Sequence, residues 1–103
     1  MSLRGVLDEA AAGLADIDVA TGADGSLQWS RAGQLFAVLG ADGSSAEFAL
    51  DPAVAAAAAR TPDVVASGRG AGWVRFSPAV LDDHGVDRVI AWFASAHRRA
   101  SRD

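Results

Sequence analysis

The sequence predicts a two-layer α+β domain, an antiparallel sheet with helices packed on it, in the order α-β-β-β-α-β-β-α. One clear hairpin and two cap-and-proline helix starts carry this reading. The hairpin joins the apolar run Gln34–Leu39 to the alternating run Ser45–Leu50 through an Asp42-Gly43 turn, and Asp-Gly is a strong tight-turn signal because glycine accepts φ > 0 without steric cost. The helix starts are Asp51-Pro52 and Ser77-Pro78, each an acceptor side chain followed by a residue whose fixed φ suits the first helical turn.

The elements follow in order. Leu3, Val6, Leu7, Ala10 and Leu14 fall on one stripe at helical spacing, which predicts a first helix over residues 2–15. A turn at Thr21–Gly25 leads to a short strand around Leu27–Ser30. The pentapeptide GADGS stands at 22–26 and again at 40–44; two copies of a turn do not make a structural repeat. Gln34–Leu39 is apolar at nearly every position, as suits a strand covered on both faces. In Ser45–Leu50, Ala46, Phe48 and Leu50 point one way and Ser45, Glu47 and Ala49 the other. The alanine-rich second helix ends at Thr61-Pro62. Strands are expected at Val64–Ser67 and Trp73–Ser77, one helical turn from Pro78 through Leu81, and a last helix from Asp83 to Arg99. On that helix Val86, Val89, Ile90, Phe93 and His97 are expected to face the core, with Arg88, Trp92, Ser95, Arg99 and Arg102 opposite. The expected core is Leu7, Leu14, Phe36, Val38, Phe48, Leu50, Val74, Phe76, Val89, Ile90 and Phe93.

A chain of 103 residues, half of them hydrophobic and 21% charged, is one globular domain with a single core, 1–103. It has no cysteine, which excludes a disulfide framework, a thiolate metal site and a cysteine nucleophile. Asp8 and Glu9 interrupt the N-terminal apolar run, and nothing approaches the ~18 apolar residues of a membrane span. A cytoplasmic location is expected. The net charge of −4 conceals an asymmetry: residues 1–59 hold eight acids against two arginines, and residues 60–103 hold seven arginines against five acids. The acidic whole opposes nucleic acid, while a basic patch could form locally.

The stretch Ser67–Phe76, SGRGAGWVRF, has three glycines in five residues. Its spacing is G-x-G-x-G and a β-like segment follows, unlike a dinucleotide fingerprint, which opens a helix. It reads as a glycine connection between two strands. Trp73 and Arg75 share the outward face of the second strand, where the tryptophan reads as packed under a helix or against the arginine stem or, as the alternative, as stacking a flat group beside the arginine. Trp92 lies at the boundary between the apolar stripe and the Arg88/Arg99 face, where it reads as packed on a neighbouring element or, half exposed among arginines, as an interface anchor of the kind typical of binding hot spots. In Asp82-Asp83-His84 the carboxylates read as helix N-terminal caps, not as ligands. His97 reads as a satisfied, partly buried imidazole. With no nucleophile elbow and no facing carboxylate pair, neither catalytic, cofactor nor metal residues are expected.

The strand Gly33–Ala37, the strand Glu47–Leu50 running into Asp51-Pro52, Gly72-Trp73-Val74 after a loose loop, and the helical pair Trp92-Phe93 together resemble the YjbR/MmcQ family, small bacterial domains with a fold related to the frataxin-like CyaY. Leu35–Leu39 with Asp42-Gly43 is also similar to the luciferase-like domain of actinobacterial proteins. The YjbR/MmcQ resemblance implies a non-catalytic binding module of undefined partner, in a family commonly called DNA-binding. The candidate surface is Arg69, Trp73, Arg75, Arg88, Trp92, Arg98 and Arg99, with a homodimer through Trp92 as one reading. Two alternatives are DNA binding by the C-terminal arginine face and an enzyme with a small-molecule pocket near the glycine loop. The charge predicts weak DNA binding or none.

Overall fold

The computed structural model describes residues 2–100. Among them the chain forms α1 (Leu3–Ala12), β1 (Asp18–Thr21), β2 (Leu27–Arg31), β3 (Gln34–Leu39), β4 (Ala46–Ala49), α2 (Pro52–Ala58), β5 (Val64–Ala66), β6 (Trp73–Phe76) and α3 (Asp83–Ala100). The six strands make one antiparallel sheet in the order β1-β2-β3-β4-β6-β5. The two-layer α+β fold is as the sequence predicts, with one more strand. β1 escapes a sequence reading because all four of its residues are exposed, so it shows no buried period.

Residues opposite one another in a ladder share a face, and the register sorts the sheet into rows. Thr21, Leu27, Leu39, Ala46, Phe76 and Val64 form one row, and Val19, Trp29, Ala37, Phe48, Val74 and Ala66 the next. Apart from the β1 members and Ala66, these rows join Leu3, Val6 and Leu7 of α1, Ala58 of α2, and Val89, Trp92, Phe93, Ala96 and Ala100 of α3 in a single apolar cluster. The helices therefore cover one face. Between them a third row, Ala20, Gln28, Val38, Glu47, Arg75 and Val65, crosses the other face.

Local chemistry explains the boundaries. The Ser2 hydroxyl accepts the Gly5 N–H at 3.0 Å and caps α1. Asp82 Oδ1 accepts the Gly85 N–H at 2.8 Å at the start of α3, the capping role its position predicts. Both GADGS copies fold alike. Gly25 N–H bonds to Gly22 O at 3.0 Å and Gly43 N–H to Gly40 O at 2.9 Å. Asp24 Oδ1 accepts the Ser26 N–H, and Asp42 Oδ1 the Ser44 N–H, both at 3.0 Å. A bulge between Trp29 and Ser30 leaves Phe36 without an opposite residue. It turns Phe36 into the core, 5.2 Å from Phe93 and 5.6 Å from His97 between ring centroids.

Four expectations are corrected. The first helix stops at Ala12 instead of residue 15. Residues 78–81 form no helical turn, with a bend only at 79 and 80, since one turn carries the full nucleation cost and the Asp82 cap starts the helix later. Asp51 makes no side-chain cap to α2; its carboxylate lies 3.6 Å from Arg99 Nε. Finally, the buried stripe of α3 is rotated: Trp92 is 8% exposed and Ile90 43%. The indole of Trp92 lies 5.4 Å from the Phe76 ring and 6.0 Å from Phe48. So large a ring gains more than Ile90 from the space between two phenylalanines. Arg102 lies outside the described residues.

These placements set an order of stability effects. Trp92→Ala should cost about 3–5 kcal/mol in urea-induced unfolding, whereas Ile90→Ala should cost under about 1 kcal/mol. A larger loss for Ile90→Ala than for Trp92→Ala would mean that the helix is rotated as the sequence pattern alone implies.

Candidate functional site

Glu47 is the centre of the helix-free face. Its strand β4 lies between β3 and β6, and the alternation that sends Phe48 into the core sends Glu47 the other way. It is nevertheless buried, at 8% exposure. Arg75 stands directly opposite on β6, and its Nε and Nη2 donate to Glu47 Oε1 at 3.2 and 3.1 Å. The Ser67 hydroxyl donates to the same oxygen at 3.0 Å. Arg69 Nε donates to Oε2, and the Arg69 guanidinium also lies 5.8 Å from the centroid of Trp73.

Arg69 reaches this position because residues 67–72, the glycine part of SGRGAGWVRF, are the hairpin loop between β5 and β6, as the sequence predicts. Ser67 N–H bonds to Trp73 O at 2.9 Å and closes the loop. Gly70 and Gly72 hold φ of 147° and 82°. At Gly72 a Cβ would lie 2.2 Å from the Leu50 carbonyl oxygen, while the Leu50 N–H bonds to Gly72 O at 2.9 Å. Only glycine fits there. The loop is thereby pressed against the end of β4, and Arg69 folds back over the sheet.

The charges balance. Burial pushes the Glu47 carboxyl up, but the donors on Arg69, Ser67 and Arg75 together outweigh it and hold the group below the ordinary value of 4.5. Beside the cluster, the Ser26 hydroxyl and N–H hold Asp24 below its ordinary value. A depression of about 360 Å³ lies here, lined by the two aspartate turns and the Glu47 cluster, with Ser45 and Ser77 at its sides. Two carboxylates and two guanidinium groups face it.

A larger depression, about 600 Å³, is lined by Asp16, Ile17, Asp18, Arg31 and Ala32. Size favours it and chemistry does not. Arg31 Nη1 donates to His97 Nδ1 and to the His97 carbonyl, each at 3.1 Å. His97 Nε2 donates to the Ala15 carbonyl at 2.7 Å. Arginine only donates and a carbonyl only accepts, so the imidazole carries its proton on Nε2. Arg31 and His97 are thus a knot between β2, α3 and the segment that follows α1, and His97 is the satisfied buried imidazole its position predicts.

The predicted surface residues separate. Arg69, Trp73 and Arg75 come together. Arg88 and Arg98 are exposed on α3, and Arg99 lies against Asp51. Trp92 is core, so the reading of it as a half-exposed anchor for a homodimer is corrected: the two phenylalanines take its ring. Glu47, the residue that organises the site, is absent from the sequence-based set. Its signal is its outward position in an alternating strand, but only the register reveals the arginine opposite. No family model matches the sequence, and no curated protein matches it.

The Glu47 cluster should show in the pH dependence of stability. A depressed folded pKa means that the contribution is complete above about pH 4.5 and is lost as the pH falls through the lower, folded value. Glu47→Gln should cost about 1–3 kcal/mol at pH 7 and flatten the acid limb of stability against pH. An unchanged acid limb would show that other carboxylates set it.

Proposed function

We propose that the protein is a small non-catalytic binding module, similar to the YjbR/MmcQ domains, that receives its partner on the helix-free face of the sheet at Trp73, Arg69 and Arg75. The observation that carries this reading is the placement of an aromatic and two arginines, held by a buried glutamate, on the face left bare by the helices. Trp73 is part-buried, and the arginine side chains are 37% and 46% exposed. Terminal N–H groups of both guanidiniums lie outside their hydrogen bonds to Glu47, and they suit carbonyl, hydroxyl or carboxylate acceptors. A cytoplasmic location belongs to the same proposal; among the described residues no helix is long and apolar enough to cross a membrane.

The non-catalytic part rests on committed groups. Both Glu47 oxygens accept hydrogen bonds, and its pKa is moved away from neutrality, the wrong direction for a general acid or base at pH 7. Both His97 ring nitrogens are engaged within the fold. An enzyme reading keeps one supporting observation, the depression beside the glycine loop. DNA binding is weakened by the same pairing, since Arg69, Arg75 and Arg99 each face a carboxylate of the chain itself.

Trp73 supplies the readout. Trp29 and Trp92 are buried, so acrylamide quenching of the wild type reports on Trp73. Small carboxylates, sugars and short peptides that raise Tm, as binding to the native state must, should also protect Trp73 from quencher. Trp73→Phe with Arg75→Ala should abolish the Tm shift. Stabilising compounds indifferent to that double variant would place the site elsewhere. For DNA, about three phosphate contacts would give a slope near −2.7 in log K against log salt, and no sub-micromolar affinity is expected at about 0.15 M salt. Such an affinity, lost in Arg98→Ala/Arg99→Ala, would instead make the α3 arginine face the site.

A further inference from the structure

The two edges of the sheet differ. At the β5 edge the Val64 N–H is taken by the Thr61 carbonyl at 3.3 Å, and Pro62 stands just before the strand. Both blunt the edge. At the other edge β1 has no proline, no lysine and no arginine, and its substantial packing is against β2 alone. All four residues are exposed, with Val19 at 56%.

Ladder geometry shows which backbone groups are open. Gly22 N–H bonds to Ser26 O at 2.8 Å, in line with the register that pairs Ala20 with Gln28 and Asp18 with Ser30. Hydrogen-bonded pairs alternate in an antiparallel ladder, so Asp18 and Ala20 bond to β2. The N–H and C=O groups of Val19 and Thr21 point away from it.

We propose that β1 pairs with β1 of a second copy of the chain, antiparallel about a two-fold axis at Ala20, to give a weak homodimer with one continuous sheet. The strand is complementary to itself in this register. Val19 of each copy meets Thr21 of the other and exchanges both backbone bonds, giving four in all. Val19 and Thr21 are β-branched and lie on the same face, where such cross-strand pairs are favourable. Ala20 meets its own copy, and its small side chain allows close approach. Asp18 falls opposite Gly22, so no like charges meet across the seam. This register commits the dimer to a second copy, because it needs no foreign sequence. A four-residue pair buries far less than the roughly 1,600 Å² of a standard interface, and association should therefore depend on concentration.

Sedimentation velocity from about 10 µM to about 1 mM tests this. The wild type should pass from monomer to dimer across the range. Ala20→Arg and Ala20→Asp each place like charges at the axis and should remain monomeric, while an equimolar mixture of the two should dimerise at least as well as the wild type. Val19→Pro removes only an outward N–H and should weaken association at least ~10-fold; if it fails to fold by circular dichroism, the Ala20 pair decides. A wild type still monomeric at about 1 mM overturns the proposal and leaves the edge to a foreign strand. A dimer indifferent to the Ala20 substitutions overturns it as well. Neither result bears on the Trp73 face.

Discussion

Glu47 carries a charge in the middle strand of the helix-free face, between β3 and β6, where its neighbours leave it little contact with water. A buried carboxylate is tolerated only with donors on its oxygens. Here the donors come from residues 20, 22 and 28 positions further along the chain. Much of the C-terminal half of the sheet can be understood from that requirement. β6 must be in register for Arg75 to stand opposite, β5 must continue to Ser67, and the loop between them must fold back for Arg69. The loop turns sharply enough because Gly70 and Gly72 accept positive φ. The glycine connection between the two strands is thus a hairpin shaped to return an arginine to a glutamate. Trp73 is positioned by the same return, since Arg69 lies over its ring.

The parts of the fold legible in sequence are those whose apolar residues recur with a simple period. β4 alternates, α1 has a clean stripe, and the β3–β4 hairpin has an Asp-Gly turn; all three are found close to the expected places. The misreadings have equally specific causes. β1 has no buried residue and so no period. The sequence pattern of α3 puts Ile90 on the buried stripe, because tryptophan among arginines resembles an exposed amphipathic residue. In the fold, the aromatic rings of Phe48 and Phe76 leave a space that an indole fills. Phe36 reaches the core through a bulge that no pattern announces.

The site was half legible for a related reason. Trp73 and Arg75 share an outward face by alternation alone, and that much follows from sequence. Glu47 satisfies the same outward rule, yet on a face open to solvent an outward glutamate is unremarkable. Its importance comes from pairing across strands far apart in the chain, which depends on the β4-β6-β5 order and not on either strand separately. Tertiary topology turns an ordinary charged residue into the organiser of the face.

The charge asymmetry of the chain has its explanation in the same topology. The acidic first part and the arginine-rich second part meet as Glu47 with Arg69 and Arg75, and as Asp51 with Arg99. A basic segment that looks available to phosphate in the linear sequence is therefore partly neutralised by folding. The Asp51–Arg99 pair is partly exposed, and such pairs contribute only ~0–1 kcal/mol. Its larger effect is on what the surface offers to others. Around Glu47 two positive groups share one carboxylate, with Asp24 nearby, so the local charge is close to zero and the remaining N–H donors act as hydrogen-bonding groups rather than as a field. Such a face discriminates by geometry and by the matching of donors to acceptors, at short range. That is the behaviour of a recognition surface for a polar, weakly charged partner, and it differs from the long-range attraction on which nucleic-acid binding depends.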